Sequence, residues 1–221
     1  MTDEVARALS YFSMEHAAPF EARPGRGRVL LSAPHAVVQT RDGRLKPAER
    51  YTGMLCLLLN QRRRRPCLMK TRHLHDDANH DPQSPYRDTL LALCAAWDVR
   101  VVLDLHQLSP QRPMALCVGT GMGRHLSGLT QAPQVVRRAF ETRGLGPVTL
   151  DDPFSGHGLC TVSHAAAQAG MCAMQLELNS ALLMEDAPGE RFLDVLEALD
   201  AALQGLDALV ETEDGAACSL D

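Results

Sequence analysis

The chain has 221 residues, of which 45% are hydrophobic and 22% are charged, so it is long enough for one domain with a sizeable core. Its formal net charge of −5 argues against general binding of nucleic acid, and no apolar run approaches the roughly 20 residues of a membrane-spanning helix. We therefore expect a soluble protein with neither a nucleic-acid partner nor a membrane partner.

The seven cysteines lie mostly in apolar runs such as MLCLLL and LALCAA, and none forms a CxxC pair. An odd number of cysteines in such settings, without a signal peptide, indicates reduced thiols in the cytoplasm. The pattern excludes a disulfide scaffold and a zinc ribbon.

Apolar runs alternate with amphipathic segments along the chain. The first 27 residues are expected to form an N-terminal extension with a short helix and a loop. The predicted strands cover residues 28–32, 67–71, 99–105, 114–118, 147–150 and 171–178. The predicted helices cover residues 47–65, 85–97, 133–143, 165–169 and 189–210. Asp42-Gly43 is a turn signal, and the tail 211–221 is expected to be flexible.

Strands that are continuously apolar and alternate with helices are typical of an α/β fold. We expect a single domain over residues 1–221, with a mostly parallel mixed sheet and helices on both faces. The sequence contains neither an internal repeat nor an obvious linker. The run Arg62 to Arg65 ends a predicted helix, and we interpret it as a solvated helix end rather than a nucleic-acid patch.

Three apolar strands end in side chains that bind metals or move protons. His35 follows RVLLSAP, His106 follows VRVVLDL, and Glu177 lies in MCAMQLEL. Because ligands bind beyond the carboxyl ends of parallel strands, these side chains are expected to meet at one edge of the sheet.

Two imidazoles and one carboxylate suit Zn²⁺ with an open coordination position. The candidate ligands are His35, His106 and Glu49, and the last lies at the start of the helix after the His35 loop. Zinc would lower the pKa of a bound water to near 7, and Glu177 would then transfer the proton to the leaving group. Asp104 lies on the same strand face as His106 and can accept a hydrogen bond from an imidazole.

Each of these residues also has a structural interpretation. Glu49 can be an acidic residue favoured in a first helical turn, Glu177 can pair with an arginine, and Asp104 can cap a helix. A rival metal site is His73 with His75, whose side chains would face one way if the segment were extended.

The sequence resembles the N-formylglutamate amidohydrolase family, which consists of zinc-dependent hydrolases with a carboxypeptidase-like α/β fold, also described as phosphorylase/hydrolase-like. The matching stretches are LLSAPH at 30–35, LDLH at 103–106, DPFSGHG from 152 and MQLELN up to 179. The order and spacing hold over roughly residues 28–205. The resemblance implies that His35, Glu49 and His106 bind zinc and that Glu177 is the general base and proton shuttle.

The resemblance also implies a loop for substrate binding at Gly156 and His157, and three departures accompany it. Ala36-Val37 replaces the usual small residue and glycine, and His157 replaces the second glycine of a Gly-Gly pair. In DDANHDP, His80 stands where the family has an arginine. Residues expected to contact the substrate or its carboxylate are Arg72, Asn79, His80, Arg87, Gly156 and His157. These departures favour a related hydrolase with a shifted substrate.

Three functions follow as hypotheses. The first is a cytoplasmic zinc amidohydrolase that cleaves a small anionic amide, namely an N-acyl amino acid of the N-formyl type. The second is a zinc peptidase that acts on a terminal or γ-glutamyl bond. The third is a non-catalytic protein that binds a small acidic ligand. The sequence leaves the oligomeric state open.

Overall fold

The computed structural model describes residues 3–14, 16–183 and 190–218. The strands are β1 (Phe20–Arg23), β2 (Val29–Ala33), β3 (Gln39–Arg41), β4 (Arg44–Lys46), β5 (Cys67–Lys70), β6 (Val101–Leu108), β7 (Leu116–Gly119), β8 (Val148–Leu150) and β9 (Cys172–Asn179). The α-helices are α1 (Asp3–Tyr11), α2 (Arg50–Arg63), α3 (Pro85–Ala96), α4 (Ala132–Glu141), α5 (Val162–Gln168) and α6 (Glu190–Cys218).

Seven strands form one mixed sheet in the order β1-β5-β2-β6-β9-β7-β8, and β3 pairs with β4 in a separate hairpin. Strands β5, β2, β6 and β9 run parallel to one another. Strand β1 is antiparallel to β5 at one side, and β7 is antiparallel to β9 at the other. The predicted single-domain α/β fold with a mostly parallel sheet is confirmed.

Helices cover both faces of the sheet, because the strands are apolar on both sides. The larger apolar cluster contains buried residues of α1, α2, α4 and α6, together with strand residues such as Leu31, Leu103 and Met174. The smaller cluster lies on the opposite face and contains residues of α3 and α5 against Leu30, Val102 and Ala173. This two-sided burial explains why the central strands lack a polar face at their amino ends.

The α3/α5 face of the sheet changes from apolar to polar along the strand direction. On β6, Val102 is followed on the same face by Asp104 and His106. On β9, Ala173 is followed by Gln175 and Glu177 in the same way. Since His106 lies opposite Glu177 in the register, both polar ends meet at one edge of the sheet.

The N-terminal residues are part of the domain rather than an extension of helix and loop alone. Helix α1 buries Val5 and Ala8 in the larger cluster, and β1 adds an edge strand to the main sheet. The strand escaped prediction because its sequence, FEAR, has two charged residues and lies half-exposed at a sheet edge. Such a segment lacks the apolar run on which the other strands were recognised.

Two further segments differ from expectation. Residues 39–46 form the β3–β4 hairpin, in which the predicted Asp42-Gly43 turn has positive φ angles of 50° and 73°. Helix α6 continues past Val210 to Cys218, so the tail expected to be flexible is helical as far as that residue. Asp214 holds this end of the helix through ion pairs with Arg28 and Arg100.

The arginine run at the end of α2 is not simply solvated. Arg62 pairs with Glu4 of α1, and Arg65 pairs with Asp200 and Asp207 of α6. The Arg65 side chain is only 11% exposed. The run therefore ties three helices together.

The six cysteines whose side chains are described are free, and all but Cys160 are buried. None of the described helices combines the length and the apolar character needed to cross a membrane.

Candidate functional site

His35, Glu49 and His106 meet at the carboxyl edge of the sheet. One donor atom from each residue lies within 4.8 Å of the others, and this is the one such group of three among the described residues. His35 Nδ1 lies 3.3 Å from Glu49 Oε1, and His106 Nδ1 lies 3.2 Å from Glu49 Oε2. The three residues predicted as metal ligands are thus brought together around one point.

The chain places Glu49 beside His35 by a backbone contact. After His35 the chain leaves the sheet, forms the β3–β4 hairpin and returns, and Glu49 N donates a 2.8 Å hydrogen bond to His35 O. Glu49 immediately precedes α2 and makes no capping bond with its side chain. Its carboxylate instead accepts a 3.1 Å hydrogen bond from Gln107 N on β6.

A buried aspartate holds each imidazole on the side away from Glu49. Asp77 Oδ1 lies 2.8 Å from His35 Nε2, and Asp104 Oδ2 lies 2.9 Å from His106 Nε2. Because a carboxylate only accepts hydrogen bonds, the Asp77 contact puts a proton on His35 Nε2 and aims the Nδ1 lone pair of the neutral ring at the centre. His106 Nε2 faces both Asp104 Oδ2 and, at 2.7 Å, the amide nitrogen of Asn79, so these two side chains together orient its ring. Asp104 is itself held by Ser32 Oγ, which donates a 2.7 Å bond.

The carboxylates set the protonation of the centre without a metal. Burial alone would raise the pKa of Glu49, but its contacts with His106 and His35 lower it to about 2. Burial alone would lower the pKa values of the two imidazoles. The contacts with Asp77 and Glu49 outweigh burial at His35, those with Asp104 and Glu49 do so at His106, and both pKa values are raised.

The donor set fits a divalent zinc ion. Two imidazole nitrogens and one carboxylate oxygen face a common point, and their far sides carry the carboxylate partners that orient zinc-binding imidazoles. Three protein ligands would leave one coordination position open, as in catalytic zinc sites.

Glu177 lies beside this group on the neighbouring strand, directly opposite His106. Burial raises the pKa of its carboxyl group, so it is a stronger base than an exposed glutamate. Gln175 Nε2 donates a 2.6 Å hydrogen bond to Glu177 Oε1 and orients the carboxylate. Both side chains line the cavity described next.

A cavity of about 730 Å³ opens above the candidate metal centre. His35, Glu49 and His106 form part of its wall together with Glu177. Its basic residues are Arg41, Lys46 and Arg112. The cavity thus joins a candidate metal centre, a basic carboxylate and positive charge.

Two arginines expected at the substrate carboxylate lie elsewhere. The guanidinium of Arg87 is buried and donates to four backbone carbonyls, those of Ala78, Cys160, Asp81 and Pro82. Through these bonds Arg87 holds the loop at residues 78–82 against the loop that contains Cys160. Arg72 lines a separate cleft of about 360 Å³ with Phe12, His16 and His73.

The other expected substrate contacts are placed as follows. His80 Nε2 lies 2.9 Å from Asp42 on the hairpin turn. Asn79 lines the cavity, but its Nδ2 faces Asp104 Oδ2 at 3.1 Å and His106 Nε2 at 2.7 Å, and its Oδ1 accepts from Val162 N. His157 is exposed and bonded to Ser155.

Gly156 lies against Gln175, the residue that orients Glu177. It has a φ of +70°, and a Cβ at this position would lie 3.1 Å from Gln175 Oε1. The loop that contains Gly156 and His157 presents Phe154 and Thr161 to the cavity. Because Gly156 has no side chain, Gln175 has room to reach Glu177.

The rival pair His73 and His75 has ring centroids 4.5 Å apart, but the segment is not extended, because His75 has a φ of +59°. His73 Nε2 lies 2.9 Å from Thr40 Oγ1. Among the described residues, no third metal-binding side chain lies close to this pair in the way that Glu49 lies close to His35 and His106.

Sequence reasoning missed Asp77, Gln175 and Arg112. Gln175 could have been predicted, because it lies two residues before Glu177 and shares its strand face. Asp77 lies in an irregular loop, so its position depends on tertiary packing. Arg112 follows β6 in a turn that gave no signal of its own.

Solved structures that share this fold at low sequence identity include three named for the hydrolysis of amide or peptide bonds. A bacteriophage poly-gamma-glutamate hydrolase is 16% identical with a TM-score of 0.62, covering 89% of this chain and 94% of that one. An N-formylglutamate amidohydrolase from Ralstonia eutropha JMP134 is 20% identical with a TM-score of 0.60, covering 88% and 99%. A metallo-carboxypeptidase from Burkholderia cenocepacia is 12% identical with a TM-score of 0.52, covering 96% and 70%.

No family model and no curated protein matches the chain at the level of sequence. The likeness is therefore one of fold, and it extends over most of the chain. The fold is shared with an N-formylglutamate amidohydrolase and a metallo-carboxypeptidase, as the resemblance in the sequence predicts.

Proposed function

We propose that the protein is a zinc-dependent amide hydrolase that removes a small acyl group, such as formyl, from an amino acid that carries carboxylates. The observation that carries this proposal is the convergence of His35, Glu49 and His106 beside the buried carboxylate of Glu177. The N-formylglutamate amidohydrolase among the similar structures supports the same substrate class.

When bound, zinc would polarise the substrate carbonyl and lower the pKa of a coordinated water to near 7. His35, Glu49 and His106 would hold it, while Asp77 and Asp104 keep the two rings oriented. Glu177 accepts the proton of the attacking water and returns it to the leaving nitrogen. Its raised pKa makes the carboxylate a better proton acceptor, and the carboxyl group can then hold the proton until the leaving nitrogen takes it.

A second candidate is a zinc peptidase that acts on a γ-glutamyl bond. Its support is the fold likeness to the poly-gamma-glutamate hydrolase and the size of the cavity, which at about 730 Å³ is within the range of sites for drug-sized ligands. Both candidates use the same residues in the same roles and differ in the substrate that fills the cavity.

The test is a panel of N-formyl amino acids, N-acetyl amino acids and γ-glutamyl peptides, assayed with zinc-loaded protein and with Glu177→Gln as the control. Hydrolysis of N-formyl or N-acetyl amino acids, lost in Glu177→Gln, supports the first candidate. Hydrolysis of γ-glutamyl peptides alone overturns it in favour of the second. No hydrolysis of any member contradicts both and leaves the binding of a small acidic ligand.

A further inference from the structure

The positive charges at the cavity differ in how they are held. Arg41 is already occupied, because its Nε and Nη2 atoms both lie 2.8 Å from Asp77 Oδ2. Lys46 on the β3–β4 hairpin is exposed, as is Arg112, but among the described residues only Arg112 has its charge against an aromatic ring. Arg112 is the third, and within the described part of the chain its guanidinium makes no ion pair.

The backbone of Arg112 is held in place, and its exposed guanidinium contacts an aromatic ring. Its guanidinium carbon lies 5.5 Å from the centroid of the Phe154 ring, which is a cation–π contact. Its backbone carbonyl accepts a 2.9 Å hydrogen bond from Asn179 Nδ2, and Met114 O accepts a second bond of 2.8 Å from the same amide. The turn that carries Arg112 is thus fixed and its guanidinium is restrained by one ring, which lowers the entropy cost of binding an anion.

The anchor of Arg112 belongs to the strand that carries Glu177. Asn179 follows Glu177 by two residues on β9, so both side chains lie on the same face. The amide of Asn179 therefore fixes the turn that carries Arg112 relative to the proposed general base.

We propose that Arg112 is the residue that recognises a carboxylate of the substrate. This inference rests on the proposed function and adds to it the residue that selects the substrate. A guanidinium binds a carboxylate through two parallel hydrogen bonds, which gives orientation as well as affinity. Arg72, Arg87 and His80 lie outside this cavity wall, Arg41 is paired with Asp77, and Lys46 lacks the fork of donors that a guanidinium offers, so the role is assigned to Arg112.

The experiment compares matched substrates on Arg112→Gln, Arg112→Lys and the wild type. N-formylglutamate is compared with N-formylglutamine and with the α-amide of N-formylglutamate, each of which lacks one carboxylate. The control variant is Arg138→Gln, which removes an exposed arginine of α4 outside the cavity.

We expect Arg112→Gln to raise KM for the charged substrate about 10- to 100-fold, the range for loss of one charge-assisted pair. One of the two amidated substrates should change less than about threefold, because it lacks the carboxylate that Arg112 binds. Arg112→Lys should restore part of the loss, and Arg138→Gln should have no effect. Equal losses on all three substrates, or no loss on any, would overturn the proposal.

A binding measurement separates this proposal from the proposed function. Glutarate and its neutral diamide are titrated calorimetrically into zinc-loaded wild-type protein and into zinc-loaded Arg112→Gln. Tighter binding of glutarate that disappears in Arg112→Gln supports carboxylate recognition even if no amide is hydrolysed. Equal binding of both compounds by the wild type contradicts it, whatever the protein hydrolyses.

Discussion

Each imidazole of the candidate metal centre contacts two carboxylates: that of Glu49 on one side and that of a buried aspartate on the other. The outer partners, Asp77 and Asp104, are fully buried, so their charge is weakly screened by water. Their role is to fix ring orientation and tautomer, which determines whether both Nδ1 atoms can face one ion. At the scale of residues, the site thus depends on side chains that would not touch the metal.

We expect Asp77→Asn to weaken zinc binding about 10- to 100-fold, the usual effect of removing such a partner. The amide keeps the size of the side chain but no longer supplies the charge beside His35 Nε2. Competition with a coloured chelator measures the affinity. Asp88→Asn is the control, because Asp88 is an exposed residue of α3 outside the candidate ligand set. Equal affinity in Asp77→Asn and wild type would refute the role of Asp77.

We expect Glu177→Gln to lower kcat about 10²- to 10⁴-fold on the substrate that the panel identifies, because it removes the group that moves the proton. Bound zinc should stay at the wild-type level, since Glu177 is not among the candidate ligands. Turnover and metal content are measured on the same preparation. Loss of metal together with activity would mean that Glu177 acts as a ligand instead.

At the scale of elements, the parallel strands place the site by their shared direction. Strands β2, β6 and β9 bring His35, His106 and Glu177 to one edge, and the hairpin returns the chain so that Glu49 reaches His35.

The order of the elements also requires one loop to pass close to the end of a helix. The link between β1 and β2 crosses the end of α2 at Gly25, where Arg26 N donates to Arg64 O.

Gly25→Ala should lower the free energy of unfolding by about 1–3 kcal/mol, the range for overpacking. A Cβ on Gly25 would lie 2.1 Å from Arg64 O and 2.4 Å from Pro66 N, so backbone has to move. Gly215→Ala is the matched control, because nothing lies within 4 Å of its Cβ position, and it should stabilise α6 slightly. Urea denaturation measures both variants. Equal stabilities would show that the link is not tightly packed.

The strands and helices that form the core could be predicted from the sequence because they are apolar over most of their length. The starts and ends of α3 and β9 fall within two residues of the predicted bounds. Strand β1 and the β3–β4 hairpin could not be predicted in this way, since they are short, polar and half-exposed. They become strands only by pairing with other segments. His35 and His106 were accessible because they end apolar strands, and Glu49 because it begins a helix, whereas Asp77 and Arg112 lie in loops.

At the scale of the whole molecule, the candidate centre couples metal binding to pH. The contacts with carboxylates raise the pKa values of His35 and His106, so without metal these rings hold protons to higher pH than free histidine. A metal ion must displace those protons to bind. Zinc affinity should therefore fall as the pH falls.

We expect the apparent zinc affinity to drop about 10- to 100-fold for each unit of pH below neutrality, corresponding to one or two displaced protons. The Glu49 carboxylate stays ionised in this range because its pKa is about 2, so it does not contribute. Calorimetric titration in buffers of different ionisation enthalpy counts the protons released. An affinity that does not change with pH would contradict imidazole ligation.

The most direct test of the account is metal content together with X-ray absorption at the zinc edge, on protein purified without chelator. We predict about one zinc ion per chain, with a first coordination shell of two imidazole nitrogens and oxygen ligands near 2.0–2.1 Å. The ion should be lost in His35→Ala and in His106→Ala. Zinc-free protein that cannot be loaded, or both variants retaining the ion with an unchanged spectrum, would contradict the account.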